Sequence, residues 1–392
     1  MDRWMESLEA DHRSRKNQHI FRQLAVTEVS GTRHIVTPAS PKPLLNLASN
    51  DYLGLSQHPD VITAAQLELA NSGTGATSSR LLSGHRPIHH ALERALADWH
   101  KKDAALLFSS GYTANIGVIS ALASQPGTVV YSDALNHAST IDGCRLSRAP
   151  VRIFRHCDHA HLATLLSTDK PSKALIITEG IFSMDGDIAP LAELSDLAMH
   201  YGALLLIDDA HGMGVTGPTG AGSTEAAGLS GEHIVHIGTL SKALGSQGGY
   251  IAANHPIIEF VTNHARSLIY STGLSPASTA AAYAALQIAQ NESGRRAWPF
   301  ELAGQFRSLL TLHNIVRHSN QTQITPIFST STKEITRLSA HLRKNGLWAP
   351  AIRPPTVPPG TGRIRIAWTA SHTRDDVHRT AAIVIASLQL KE

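Results

Sequence analysis

Between residues 60 and 293, short apolar runs recur at strand–helix spacing, and none of them alternates with polar residues. They lie at Ala104–Phe108, Thr128–Ser132, Val151–Phe154, Ala174–Thr178, Ala203–Ile207, Ile234–Thr239 and Gly249–Ala253. A strand wetted on one face would show a polar residue at every second position, so uninterrupted runs require cover on both faces. Helical patterns such as Ile88–Lys101 and Leu191–Tyr201 separate the runs and can supply that cover. The alternation predicts an open, mostly parallel α/β sheet of seven strands. Ligands of such sheets sit beyond the carboxyl ends of the strands. Several runs end there in polar residues: Ser110-Gly111-Tyr112, His137, Glu179 with Ser183, Asp208 with His211, and Thr239 with Lys242.

The flanks read differently. Residues 4–24 suggest a helix anchored by Trp4, Leu8, Ile20, Phe21 and Leu24, and Thr37–Pro43 reads as a Pro-rich connector. A short strand at Leu45 then breaks into a polar turn ending at Gly54. After Asn291 a strand at Gln323–Ser329, a helix at Lys333–Leu347, a Pro-rich loop, a strand at Arg363–Trp368 and a helix at Asp375–Leu390 suggest a smaller α+β domain. The expected division is an N-terminal helix and arm at 1–55, a large α/β domain at 56–293 and a small domain at 294–392.

Charge is nearly balanced, 34 basic against 31 acidic residues, so no nucleic-acid footprint is expected. Two cysteines, Cys144 and Cys157, fit a reducing compartment and no disulfide framework. Met1–Arg22 mixes acidic and basic residues, unlike a leader peptide, and no apolar run reaches the ~18 residues of a membrane span. A soluble cytoplasmic protein is the expectation. The sequence His156-Cys157-Asp158-His159-Ala160-His161 invites a metal, but its spacing matches no common zinc pattern. A solvated loop with a helix cap is preferred, with no metal site.

Two stretches point to chemistry. Lys242 lies among small residues just after an apolar run, where poor solvation of its stem favours a neutral amine. An ordinary surface lysine in a Gly-rich turn is the alternative. Upstream, Leu204–Ile207 runs into Asp208-Asp209-Ala210-His211. A lysine that forms a Schiff base and a carboxylate that keeps a ring nitrogen protonated are what pyridoxal phosphate requires. Strand alternation alone leaves Asp208 and Asp209 in competition for that role. Ser109–Asn115 opens a helix with small residues and could offer N–H groups to a phosphate, or be a plain turn. Gly73–Ser78 echoes a dinucleotide fingerprint but follows no strand, so nicotinamide binding is not expected there. His137 could lie on a cofactor ring and move protons, or be a loop histidine. Arg363 and Arg365 share a strand face and could grip a carboxylate, or form a solvated basic face.

Taken together, the motifs Ser49–Gly54, Ser110–Tyr112, Thr178–Gly186, Asp208–Gly212 and Thr239–Lys242 resemble the α-oxoamine synthases, fold type I pyridoxal phosphate enzymes. The tail Ala351–Pro358 with Gly360–Arg365 is similar to the branch that uses alanine, and the match runs from about residue 8 onward. The resemblance implies a homodimer with its active site at the subunit interface. The implied reaction condenses L-alanine with a pimeloyl thioester, on CoA or acyl carrier protein, giving 8-amino-7-oxononanoate and CO2 for biotin synthesis. A sister condensation with glycine or serine, or an aminotransferase, is the alternative. Residue by residue, it implies Lys242 as Schiff-base lysine and base, Asp208 at the pyridine nitrogen, His211 and Ser183 at the ring hydroxyl, and His137 over the ring. Gly111, Tyr112 and Thr239 would take the phosphate, with Ser271 or Thr272 from the second chain. Asn50 and Arg365 would hold the amino-acid carboxylate, and Arg22 and Thr356 would contact the acyl substrate.

Overall fold

The computed structural model describes residues 2–315 and 321–389. The chain divides into two compact units: Asn50–Ser183 with Asp187–Ala297, and Met1–Ser49 with Met184–Gly186 and Trp298–Glu392. The arm before Ser49 thus groups with the C-terminal third, an association that sequence order does not carry.

The larger unit is built on a seven-stranded sheet. Its order is Ala104–Phe108, Gly249–Ala253, Ile234–Thr239, Leu204–Asp208, Lys173–Glu179, Thr128–Asp133 and Val151–Phe154. Only Gly249–Ala253 runs antiparallel to its neighbours. The unalternating runs have the expected cause. Leu175, Ile177 and Leu206 face one core together with Val118 and Ile119 of the helix Gly111–Ala123. Ala174, Ile176, Leu205 and Ile207 face a second core with Leu162, Leu166 and Leu194. Each fully buried Leu or Ile contributes about 1.5–3 kcal/mol, so the sheet is held from both sides.

The smaller unit contains a three-stranded sheet ordered Ile324–Ser329, Gly362–Ala367, Ala351–Ile352, covered by the helices Thr332–Lys344 and Arg374–Gln389 around Phe306, Ile335 and Trp368. Thr373 and Asp376 exchange hydrogen bonds at the start of the last helix, 3.2 Å from the Asp376 N–H to the Thr373 hydroxyl and 2.8 Å in return. Leu390, expected as the end of this helix, lies outside the described residues.

Two expectations for the flanks need correction. The first helix is Asp2–Asn17 and ends before Ile20, Phe21 and Leu24, because His19 adopts a left-handed φ of 58°. The two anchors within it, Trp4 at 74% and Leu8, are exposed, since the polar sequence offers no continuous apolar stripe, while Ile20 and Phe21 are half-buried beyond its end. The Pro-rich connector is in fact a strand pair, His34–Thr37 against Ser40–Asn46. The strand Leu347–Trp348 pairs only with Leu45 and Asn46, so Pro41 and Pro43 fall where no neighbour needs their missing N–H.

Candidate active site

The carboxyl ends of the large sheet surround a cavity of about 210 Å³. Gly111, Tyr112, His137, Ser183, Asp208, His211, Thr239 and Lys242 all line it. Ser110 caps the Gly111–Ala123 helix by accepting from the Thr113 N–H at 3.1 Å, while the Thr113 hydroxyl accepts from the Ser110 N–H at 3.0 Å. The first-turn N–H groups at Gly111 and Tyr112 have no acceptor within the helix, which makes this a place for an anion. Gly111 also sits so close to Thr239 that a β-carbon there would lie 3.3 Å from the Thr239 Cβ.

The competition between the two aspartates is decided by strand parity. Asp208 follows Leu206 onto the face covered by the Gly111–Ala123 helix, and Asn115 of that helix donates to its Oδ2 at 2.6 Å. Asp209 turns to the opposite face. Its two oxygens accept from the Ser223 N–H and hydroxyl, each at 2.6 Å, and a β-carbon at Gly180, Gly212 or Gly222 would collide with them. Burial pushes the Asp209 carboxyl up to about 7 against the pull of the Ser223 hydrogen bonds. Asp209 is a bracket for its loop, and Asp208 faces the cavity.

Lys242 Nζ lies 2.8 Å from His211 Nε2, and His211 Nδ1 lies 2.6 Å from the Tyr52 hydroxyl. Tyr52 also donates to Asn50 Oδ1 at 3.2 Å, so Asn50 connects to the lysine through two side chains. Burial lowers the His137 pKa; Asp208 opposes this and Lys242 adds to it. Glu179 is paired in register with Asp208 on the neighbouring strand. Burial, and then the Asp208 charge, push its carboxyl well above the usual range.

Other expected residues lie elsewhere. Ser271 and Thr272 line a separate small cavity beside Arg80, and Thr272 bridges to Ser79. Arg80 belongs to the Ser- and Arg-rich stretch before Leu82, where it makes a bidentate pair with Glu93, 2.7 and 2.9 Å. In the smaller unit Arg22 donates to the Thr356 hydroxyl at 2.8 Å, and Arg353 reaches the His19 carbonyl at 2.6 Å. Arg363 and Arg365 are 3% and 7% exposed, so the reading of a solvated basic face is overturned. Arg363 pairs with Asp185 and covers the Phe328 ring at 4.7 Å.

The histidine-rich loop has its own logic. His156 presents Nδ1 to Asp133 at 2.9 Å and Nε2 to Asp187 at 2.5 Å. Burial alone would lower its pKa, but the bonds to the two carboxylates outweigh it and push it up to about 12. An imidazolium held this way has no lone pair to offer a metal. Asp158 caps the following helix through the His161 N–H at 2.8 Å.

Sequence reasoning missed Tyr52, Asn115 and Ser139 as functional neighbours. Tyr52 and Asn115 stood inside quoted motifs, but only the fold shows which side chains they meet.

The aminotransferase class I and II family model matches residues 42–384. The chain belongs to this family. Within it, the chain is an α-oxoamine synthase, 42% identical over 383 residues to the 8-amino-7-oxononanoate synthase of Bordetella petrii, covering 96% of each chain. That of Geobacter metallireducens is 43% identical over 376 residues, 95% of each. Among solved structures, a serine palmitoyltransferase from S. paucimobilis with a bound pyridoxal phosphate–myriocin adduct matches at TM-score 0.91 and 31% identity, covering 98% of this chain and 97% of that one. The 8-amino-7-oxononanoate synthase of Francisella tularensis matches at TM-score 0.77 and 26% identity, covering 89% and 98%. As an α-oxoamine synthase the chain is a fold type I enzyme, a pyridoxal-phosphate-dependent acyltransferase. The cavity fits that cofactor: an amine, a buried carboxylate and helix N–H groups line one space, and Asn115 Oδ1 and Glu179 Oε1 are buried without hydrogen-bond partners. Among the described residues, no helix is long and apolar enough to cross a membrane.

Proposed function

We propose that this α-oxoamine synthase condenses L-alanine with a pimeloyl thioester, releasing CO2 and the free thiol carrier and forming 8-amino-7-oxononanoate, the product for which its relatives are named. The observation that carries the chemistry is Asp208 and Lys242 lining one cavity. Bound there, pyridoxal phosphate supplies an electron-withdrawing ring that stabilises negative charge at the amino acid's α-carbon.

The chain's own residues then have distinct tasks. Lys242 Nζ would hold the cofactor covalently and would serve as the base for the α-proton; His211, 2.8 Å away, fixes where that amine rests. Asp208 would keep a proton on the ring nitrogen, and Asn115 aims its carboxylate. Gly111, Tyr112 and Thr239 would hold the phosphate, joined by Ser271 or Thr272 of the second subunit in a homodimer. Ser183 and His211 would serve the ring hydroxyl. His137 would cover the ring and donate to the acyl carbonyl. Asn50 and Arg365 orient the substrate carboxylate, which must be held in one direction for CO2 to leave. Arg22 and Thr356 contact the acyl chain. The two cysteines form no disulfide, in keeping with a cytoplasmic enzyme.

Mass spectrometry of the product from alanine and pimeloyl-CoA tests the reading, and the 8-amino-7-oxononanoate mass is the expected result. The likeness to serine palmitoyltransferase favours a second reading, serine with a long-chain acyl thioester. If serine or glycine turned over far faster than alanine, the first reading would fail.

A further inference from the structure

Asp208, Asn115, Ser139 and His137 form one hydrogen-bonded chain along the cavity, and the direction of every link is fixed by chemistry. Asn115 Nδ2 lies 2.6 Å from Asp208 Oδ2 and 3.0 Å from Ser139 Oγ. A carboxylate only accepts, so the amide must present its NH2 there; the flipped amide would set oxygen against oxygen. Both Nδ2 hydrogens are then used, one on Asp208 and one on Ser139. Ser139 Oγ lies 2.7 Å from His137 Nδ1 and has a hydrogen to direct there. The Ser139 backbone N–H approaches the same ring nitrogen at 3.3 Å, and an N–H can only donate. Nδ1 is therefore an acceptor, and the neutral ring carries its hydrogen on Nε2. Asn115 is 2% exposed and Ser139 fully buried, so water does not compete for the bonds among Asp208, Asn115 and Ser139, while the His137 ring opens to the cavity.

We propose that Asn115 and Ser139 are positioning residues that hold His137 neutral with its hydrogen on Nε2 and tie its setting to the Asp208 carboxylate. The inference rests on the reading of the cavity as the cofactor site, and it sharpens one role in it. With Nδ1 committed inside the protein, His137 can act on substrate only as a donor through Nε2. A protonated ring would place a hydrogen on Nδ1 against the Ser139 backbone N–H, so the same network resists the imidazolium form.

The test is nitrogen NMR of the full-length, cofactor-loaded protein carrying 15N-labelled histidine, with the His137 signal assigned by its loss in His137→Gln. The expected wild-type pattern is a proton on Nε2 and a bare Nδ1. In Ser139→Ala, which leaves only the longer 3.3 Å backbone N–H on Nδ1, and in Asn115→Ala the pattern shifts toward mixed tautomers, and the titration midpoint of His137 rises by about one pH unit. Ser139→Thr, which keeps the hydroxyl, restores the wild-type pattern, and kcat for condensation falls about tenfold in Ser139→Ala but not in Ser139→Thr. A wild-type ring protonated on Nδ1 would overturn the proposal, as would variants whose tautomer and titration match wild type. Should Asn115→Ala fail to fold, the Ser139 pair decides alone. The NMR signal does not depend on which amino acid or thioester is turned over, so it stands apart from the substrate assignment.

Discussion

The two units handle buried charge in different ways. In the larger unit, Asp208 with His211, His137, and Lys242 come from the ends of three strands and meet around one space, linked through Asn115, Ser139 and Tyr52. In the smaller unit, two buried arginines lie along a single strand. Arg363 is taken up by Asp185 and the Phe328 face, and Arg365 lies two residues further on the same strand. A sheet edge gathers residues from distant sequence positions and can build a complete cofactor site. One strand can only present residues at every second position, which suits holding a carboxylate.

On that contrast, damage to Lys242 or Asp208 in the larger unit strikes the cofactor, and damage to Arg365 in the smaller one strikes the substrate. The largest effect is expected for Lys242→Ala. It should lose the visible band that borohydride otherwise traps and reduce turnover roughly 10,000-fold, as spectra and assays of purified protein would report. A persisting trappable band would move the cofactor to another lysine. Asp208→Asn should still bind cofactor but slow α-proton exchange roughly 100-fold or more, measured by deuterium uptake into alanine. Asp209→Asn should leave exchange near wild type and lower the melting temperature, because its partners are Ser223 and its own loop. The reverse outcome would exchange the two roles.

Arg365→Ala should raise the alanine KM at least about tenfold while sparing cofactor loading, which would separate the units cleanly. Arg363→Ala should instead cost roughly 1–3 kcal/mol of stability, read by urea unfolding, because a buried guanidinium loses its pair with Asp185 and its cover on the Phe328 ring. An alanine dependence untouched by Arg365→Ala would remove the arginine from the site and erase the contrast.

The smallest effect concerns pH. His156 is raised from an ordinary value near 6.5 to about 12 in the folded protein. Its contribution is therefore complete below pH 6.5 and declines as pH rises toward 12, because the unfolded chain releases that proton first. The stability gap between wild type and His156→Gln should be widest in mild acid and narrow steadily in alkali. A gap that widened with pH would contradict the imidazolium between Asp133 and Asp187.

Much of the larger unit could be read directly. Seven unalternating apolar runs specify strands covered on both faces, and their polar ends mark the functional edge, because strand length and period are local properties. The first helix was legible only in part: its polar run supports a helix but cannot announce the backbone reversal at His19. The strand pair around Pro41 was hidden because proline argues against a strand unless its outer edge is free, and which edge is free depends on partners far away.

The sequence by itself determined the residue types of the site and the strands that deliver them. Lys242, Asp208, His211 and His137 are each fixed a short distance after an apolar run. Only the tertiary structure decided which of two adjacent aspartates faces the cavity, that Arg363 and Arg365 are buried, and that Asn115 and Ser139 join His137 to Asp208. Each of those depends on which face of a strand meets which helix, and that is set by packing between segments distant in the chain rather than by any residue's neighbours in sequence.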